Sequence, residues 1–147
     1  MPSLTVGSPA PWPEGITNQD GKPIRLKDFA GKNVLVYFYP KDDTPGCTIE
    51  ACNFRDHHAS YTNTVIFGAS VDDATSHQAF RKKFSLPYDL LVDTKDKALA
   101  KGFGALPEGA PVTSRSSVLI GPDGRVKTLW PKVDAKTHFQ EVQQALA

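Results

Sequence analysis

Cysteine occurs twice in the chain, at Cys47 and Cys52, both within Phe38-Tyr39-Pro40-Lys41-Asp42-Asp43-Thr44-Pro45-Gly46-Cys47-Thr48-Ile49-Glu50-Ala51-Cys52. An apolar, β-type run stops at Pro40, a polar loop follows, and a helix is expected to start near the first thiol. Thr44 precedes a proline, which pushes its backbone out of the α region toward the extended geometry of an N-cap. Pro45 suits the first helical position, where no backbone donor is needed. Gly46 is then second and Cys47 third. The sulfur lies in the first turn, beside unpaired N–H groups and the positive end of the helix dipole. A free thiol with a pKa near about 8.5 is only a few per cent ionised at neutral pH, and helix N-termini and nearby cations lower that value. A drop to roughly 6 raises the reactive fraction about thirtyfold, equivalent to about 2 kcal/mol. Ionisation alone is too small a gain to make a good catalyst.

The second thiol is close in sequence but badly placed in space. Five residues along an ideal helix give about 7.5 Å of rise and about 500° of turn. The two Cα atoms are then about 8.6 Å apart, outside the range a disulfide accepts. A Cys47–Cys52 bond therefore requires the first turns of the helix to unwind. Two states are expected: a folded dithiol, and a disulfide with the helix locally melted. Cys47, Cys52, His57 and His58 are also zinc's preferred ligand types. Cys47 and His58 point the same way on a helix but are about 16 Å apart along it, so no metal site is expected. The spacing C-x-x-x-x-C also differs from the C-x-x-C of dithiol exchangers. His57, His58, His77 and His138 are expected on helix surfaces.

The rest of the chain must hold this segment in place. Its 147 residues suffice for one domain with its own core, residues 1–147. A net charge of +1, with 22% charged residues, argues against a nucleic-acid partner. No apolar run approaches the length of a membrane span, and the N-terminus does not read as a signal peptide. A thiol pair in such a chain fits a reducing compartment, the cytoplasm. Strands are expected at Val34–Tyr39, Thr64–Ser70, Leu90–Val92, Ser116–Ile120 and Arg125–Trp130. A hairpin is expected near Ile16–Leu26, turning at Asp20-Gly21. Helices are expected from Pro45, after Asp72 or Asp73 (carrying Phe80 and Phe84), over Lys95–Lys101 and over Thr137–Leu146. Alternating strands and helices that end in a hairpin and a helix predict an α/β layered domain. Ala105–Ser114 is the one notable loop.

Pro40-x-x-x-Thr44-x-x-Cys47 resembles the active-site signature of peroxiredoxins. The fifteen-residue string Phe38–Cys52 resembles the bacterioferritin-comigratory-protein, or Q-type, subfamily in particular. Gly68-Ala69-Ser70-Val71-Asp72, Ser76-His77, Leu86-Pro87-Tyr88, Arg115-Ser116-Ser117-Val118-Leu119-Ile120 and Trp130-Pro131-Lys132-Val133 agree with it. The resemblance implies a thioredoxin-like fold, with a central mixed β-sheet flanked by helices. It implies reduction of hydrogen peroxide or organic hydroperoxides without a cofactor, and recycling by thioredoxin or a similar dithiol. Cys47 would be peroxidatic and Cys52 resolving, in a chain acting as a monomer. Arg115 matches the family's active-site arginine, and Pro40 the residue that shields the sulfur from water.

The chemistry asks for the same groups. Attack on a peroxide oxygen leaves negative charge on the departing one, so organised donors are needed there. Thr44 can supply a hydroxyl, Gly46 and Cys47 backbone N–H groups, and Arg115 a fixed fork of donors. Each has a plainer alternative. Thr44 is equally well an N-cap, Arg115 a surface cation, Pro40 a strand terminator, and Glu50 either a solvated helix residue or a carboxylate that orients Arg115. A non-enzymatic peroxide sensor, using the same disulfide as a signal, is the rival function. Three departures from the family pattern stand out: the proline-rich Pro11–Gly15, Ile49 at a usually polar position, and the long Ala105–Ser114 loop, on which the placement of Arg115 depends.

Overall fold

The computed structural model describes residues 4–93 and 97–146. Five strands form one sheet: β1 (Asn33–Phe38), β2 (Thr64–Ser70), β3 (Asp89–Val92), β4 (Ser116–Ile120) and β5 (Val126–Trp130), in the order β3-β2-β1-β4-β5. β1 and β3 run parallel to β2, whereas β4 runs antiparallel to β1 and β5. The sheet is therefore mixed, with β1 at its centre. Side chains alternate between the faces of a strand. Val34, Val36 and Phe38 thus enter one core and Leu35, Tyr37 and Tyr39 the other. Burial on both faces is why β1 after Asn33 is an unbroken apolar and aromatic run.

Each face needs a cover. On the Leu35 side lie α1 (Pro45–His57), α2 (Ala74–Lys83) and α4 (His138–Leu146), which contribute Phe54, Phe80 and Val142. On the Val34 side lie α3 (Ala98–Gly102) and the N-terminal coil, which contribute Leu99, Ala100, Ile16 and Ile24. The C-terminal half of α1 is fastened to α4 and the turn before it. Asn53 Nδ2 donates to the carbonyls of Ala135 and Lys136, both at 3.3 Å, and the His57 ring stacks on Phe139 at 4.2 Å.

All five expected strands form, each within one residue of its expected bounds. The helix expected over Lys95–Lys101 is Ala98–Gly102; Lys95 and Asp96 lie outside the described residues. The Ile16–Leu26 hairpin shrinks to a bridge between Thr17 and Pro23. Proline has no N–H to extend a ladder, and the segment is occupied in covering the edge of β3. Thr17 O accepts from Val92 N and Gln19 Oε1 from Leu90 N. His77 and His138, expected on helix surfaces, are fully buried, with the ring nitrogens of His138 on Ser117 and Glu141.

Gly68 of β2 sits beneath two core side chains. A Cβ there would fall 2.9 Å from the Tyr37 hydroxyl and 2.8 Å from Leu90 Cδ2. Gly68→Ala is expected to lower the unfolding free energy by about 1–3 kcal/mol through overpacking, read from the urea midpoint. An unmoved midpoint would contradict this packing.

Candidate active site

The helix begins where the residues before it require. Thr44 has extended backbone geometry (φ −96°, ψ 156°), Pro45 is the first helical residue, and Thr48 N donates to Thr44 O at 2.8 Å. Thr44 is thus the N-cap by its backbone only. Its hydroxyl makes no cap bond and instead donates to Lys41 O at 2.9 Å. Cys47 lies in the first turn and is 1% exposed, among the apolar residues under α1. Both cysteines are free thiols, with Cys52 half-buried farther along the same helix.

Arg115 comes to the sulfur from just before β4. Its Nη2 donates to Cys47 Sγ at 3.3 Å and its Nη1 to Glu50 Oε1 at 2.9 Å. Two arms of one planar fork therefore address a sulfur and a carboxylate one helical turn apart, a geometry lysine cannot reproduce. The long loop before it does not leave Arg115 adrift. Ser114 N donates to Ala105 O at 2.7 Å, closing the loop at its neck, and Val133 N donates to Arg115 O at 3.2 Å. Gly46 makes room for the guanidinium: a Cβ there would lie 3.0 Å from Arg115 Nη2. The surface-cation alternative for Arg115 is thereby excluded.

Glu50 is no solvated helix residue. Its side chain is 1% exposed, its Oε2 has no hydrogen-bond partner, and burial raises its pKa to about 7 against the lowering effect of Arg115. Burial opposes the charge on Arg115, but its hydrogen bond to Cys47 and the charge of Glu50 outweigh it, so its pKa rises. Cys47, Gly46, Glu50 and Arg115 are thus brought together. Pro40 is half-buried in the loop before the helix.

A second layer escaped the sequence reading. Tyr39 OH, Ser76 Oγ and His77 Nδ1 converge on the Asp42 carboxylate, and Thr113 Oγ1 donates to Tyr39 O. Beneath α1 the hydroxyls of Tyr37 and Tyr88 bond at 2.7 Å, and that of Tyr88 reaches Ala51 O at 2.9 Å. The doubled aspartate and the Ser76-His77 pair were the available signals, but nothing local links residues so far apart in sequence. The zinc ligands do not assemble: His57 Nδ1 lies against Asn53 O and His58 Nδ1 against Arg55 O. No group of three or more His, Cys, Asp or Glu side chains could hold a metal ion among the described residues.

A thiol beneath a guanidinium at a helix mouth, carried on a mixed sheet, marks a thiol-based redox enzyme. The chain belongs to the AhpC/TSA family, which it matches over residues 6–129. Within that family it is a peroxiredoxin of the Bcp and Q kind. It is 40% identical to peroxiredoxin Bcp of Bacillus subtilis, over 98% of this chain and 96% of that protein. It is 43% identical to a chloroplastic peroxiredoxin Q of Sedum lineare, over 97% of this chain and 78% of that one. The solved structure of Xylella fastidiosa PrxQ superposes with a TM-score of 0.87 at 27% identity, covering 99% of this chain and 97% of that one. Xanthomonas campestris bacterioferritin comigratory protein gives 0.86 at 30% identity, covering 97% and 95%. The fold is thioredoxin-like and the chain is a thiol peroxidase.

Glu50 sets a pH dependence of stability. Its carboxyl holds a proton up to about 7 when folded, against an ordinary value of 4.5. Between those values the folded state binds more protons than the unfolded chain, so stability falls as pH rises through this window. Glu50→Gln is expected to remove that fall, which should be on the order of 1–3 kcal/mol in the parent. Urea unfolding across the window checks it; parallel pH profiles for the two proteins would contradict the assignment.

Proposed function

We propose that the protein reduces hydrogen peroxide and organic hydroperoxides to water or the alcohol, with Cys47 as the peroxidatic thiol and Cys52 as the resolving one. The observation that carries this is the Arg115 fork, which touches the Cys47 sulfur while Glu50 anchors its other arm. The Cys47 thiolate attacks one peroxide oxygen in line with the O–O bond. An S–O bond forms, the O–O bond breaks, and the departing oxygen takes a proton. Arg115 and the N–H groups of Gly46 and Cys47 meet the charge that develops. Thr44 has the opposite role to the donor expected of it. Its hydroxyl hydrogen is committed to Lys41 O, so its oxygen is left to accept the hydroperoxide O–H. Pro40, lacking a donor, shields the sulfur.

The sulfenic acid on Cys47 then condenses with the Cys52 thiol, forming the disulfide and releasing one water. Because α1 is fastened at Asn53 and His57, unwinding is confined to the part before Asn53. A dithiol such as thioredoxin reduces the disulfide by exchange and restores both thiols. Val6, Ile49 and Val112 are the exposed large apolar side chains among the described residues, which supports action as a monomer. A closely spaced pair of cysteines of this catalytic kind fits a reducing compartment, the cytoplasm. No helix among the described residues is long and apolar enough to cross a membrane.

With excess thioredoxin, thioredoxin reductase and NADPH, continued peroxide consumption is expected; consumption that stops at one equivalent indicates the sensor instead. Cys47→Ser should abolish consumption, and retained turnover refutes the assignment. Cys52→Ser should consume one equivalent and stall with the donor. On oxidation of the parent, non-reducing mass measurement should show the loss of two hydrogens, and amide exchange should accelerate at the start of α1. Unchanged exchange there contradicts the unwinding.

A further inference from the structure

The loop from Pro40 to Thr44 carries the residue that shields the sulfur and the one that accepts the hydroperoxide O–H, yet it belongs to neither β1 nor α1, and Asp43 within it is in the left-handed region (φ +58°). What fixes it is Asp42, whose side chain points inward. The Asp42 carboxylate accepts from the Tyr39 hydroxyl, from Ser76 Oγ at 2.8 Å and from His77 Nδ1 at 2.7 Å, while its backbone N donates to Asp72 Oδ2 at 2.8 Å. The other ring nitrogen, His77 Nε2, lies 2.9 Å from Leu91 O on β3. The His77 and Asp42 side chains are 0% and 3% exposed. His77 thus spans from the sheet backbone to the loop. Among the described residues the loop's other charged tie, Lys83 to Asp43, is on the surface with its lysine 59% exposed, and such pairs hold little.

We propose that His77 is a positioning residue for the peroxide step: through Asp42 it holds the Pro40–Thr44 loop so that Pro40 and the Thr44 hydroxyl meet a hydroperoxide at Cys47. The proposal rests on the peroxidase reading above and extends it to a residue on α2 that does not touch substrate. A misplacement of about 1 Å can cost about a hundredfold in rate, and a buried bridge of two short hydrogen bonds prevents one.

Two amides divide the ring's bonds between them. In His77→Asn the amide nitrogen falls near the position of Nδ1, keeping the bond to Asp42 and losing that to Leu91. In His77→Gln it falls near Nε2, keeping Leu91 and losing Asp42. Each removes one buried hydrogen bond, and in His77→Gln the Asp42 carboxylate keeps its bonds from Tyr39 and Ser76, so both should lose stability. The measurements are the second-order rate of Cys47 oxidation by hydrogen peroxide, its alkylation by iodoacetamide, and the thermal midpoint. His77→Gln is expected to slow peroxide oxidation at least about tenfold while alkylation stays within about twofold, and His77→Asn to recover to within about threefold of the parent. A wild-type peroxide rate in His77→Gln overturns the proposal, as does an equal slowing of both variants. If His77→Gln does not fold, Asp42→Asn carries the same test: a slower peroxide reaction with unchanged alkylation supports the proposal, and an unchanged peroxide rate overturns it. A parent protein that reacts no faster with peroxide than with iodoacetamide overturns the peroxidase reading itself, and this proposal with it.

Discussion

The Arg115 guanidinium sits between two acceptors of different kinds: a sulfur that must be reactive and a carboxylate that must not be. A buried carboxylate with one free oxygen is costly, and removing the partner of a buried charge costs more than the pair contributes. Glu50 is therefore held to Arg115 for its own stability, and that bond aims the second arm at Cys47. Much of the surrounding structure serves this arrangement. β4 brings Arg115 to the central strand, the closed neck of the 105–114 loop fixes its approach, and Gly46 removes the one Cβ that would push it away.

The sheet order explains why these groups can meet. β1 delivers the loop and the helix start, while β4, its antiparallel neighbour, delivers Arg115 from the same end, with Phe38 opposite Ser116. Arg115 and Cys47, 68 positions apart in sequence, thereby come into contact. The other neighbour, β2, leads into α2, whose Ser76 and His77 reach Asp42 on the far side of the same loop. The nucleophile is thus flanked by two strands that β1 alone connects.

The strands were legible because their apolar runs are short, β-branched and bounded by turn residues, and the start of α1 because Thr44, Pro45 and the residues after them leave little choice. The N-terminal hairpin was misjudged because Asp-Gly is a strong local signal, whereas Pro23 and the edge of β3 are non-local constraints. The burial of His77 and His138 was missed for a related reason. Each shares the buried face of its helix, His77 with Phe80 and His138 with Val142, but only a distant oxygen, on Asp42 or on Ser117, makes a buried imidazole tolerable there. In the site, the types of the reactive residues were readable, but the direction of the Thr44 hydrogen bond was not, since it depends on where the Lys41 carbonyl points.

The clamp between Asn53, His57 and the turn into α4 bears on how the catalyst resets. Starting a helix from coil is the slow, unfavourable step, and lengthening an existing one adds roughly a nanosecond per residue. In the proposed cycle the docked half of α1 survives each oxidation as a template. Rewinding after reduction is then simple elongation back toward Pro45. Recovery of the folded thiol form would keep pace with any protein reductant, leaving encounter with that reductant to govern throughput.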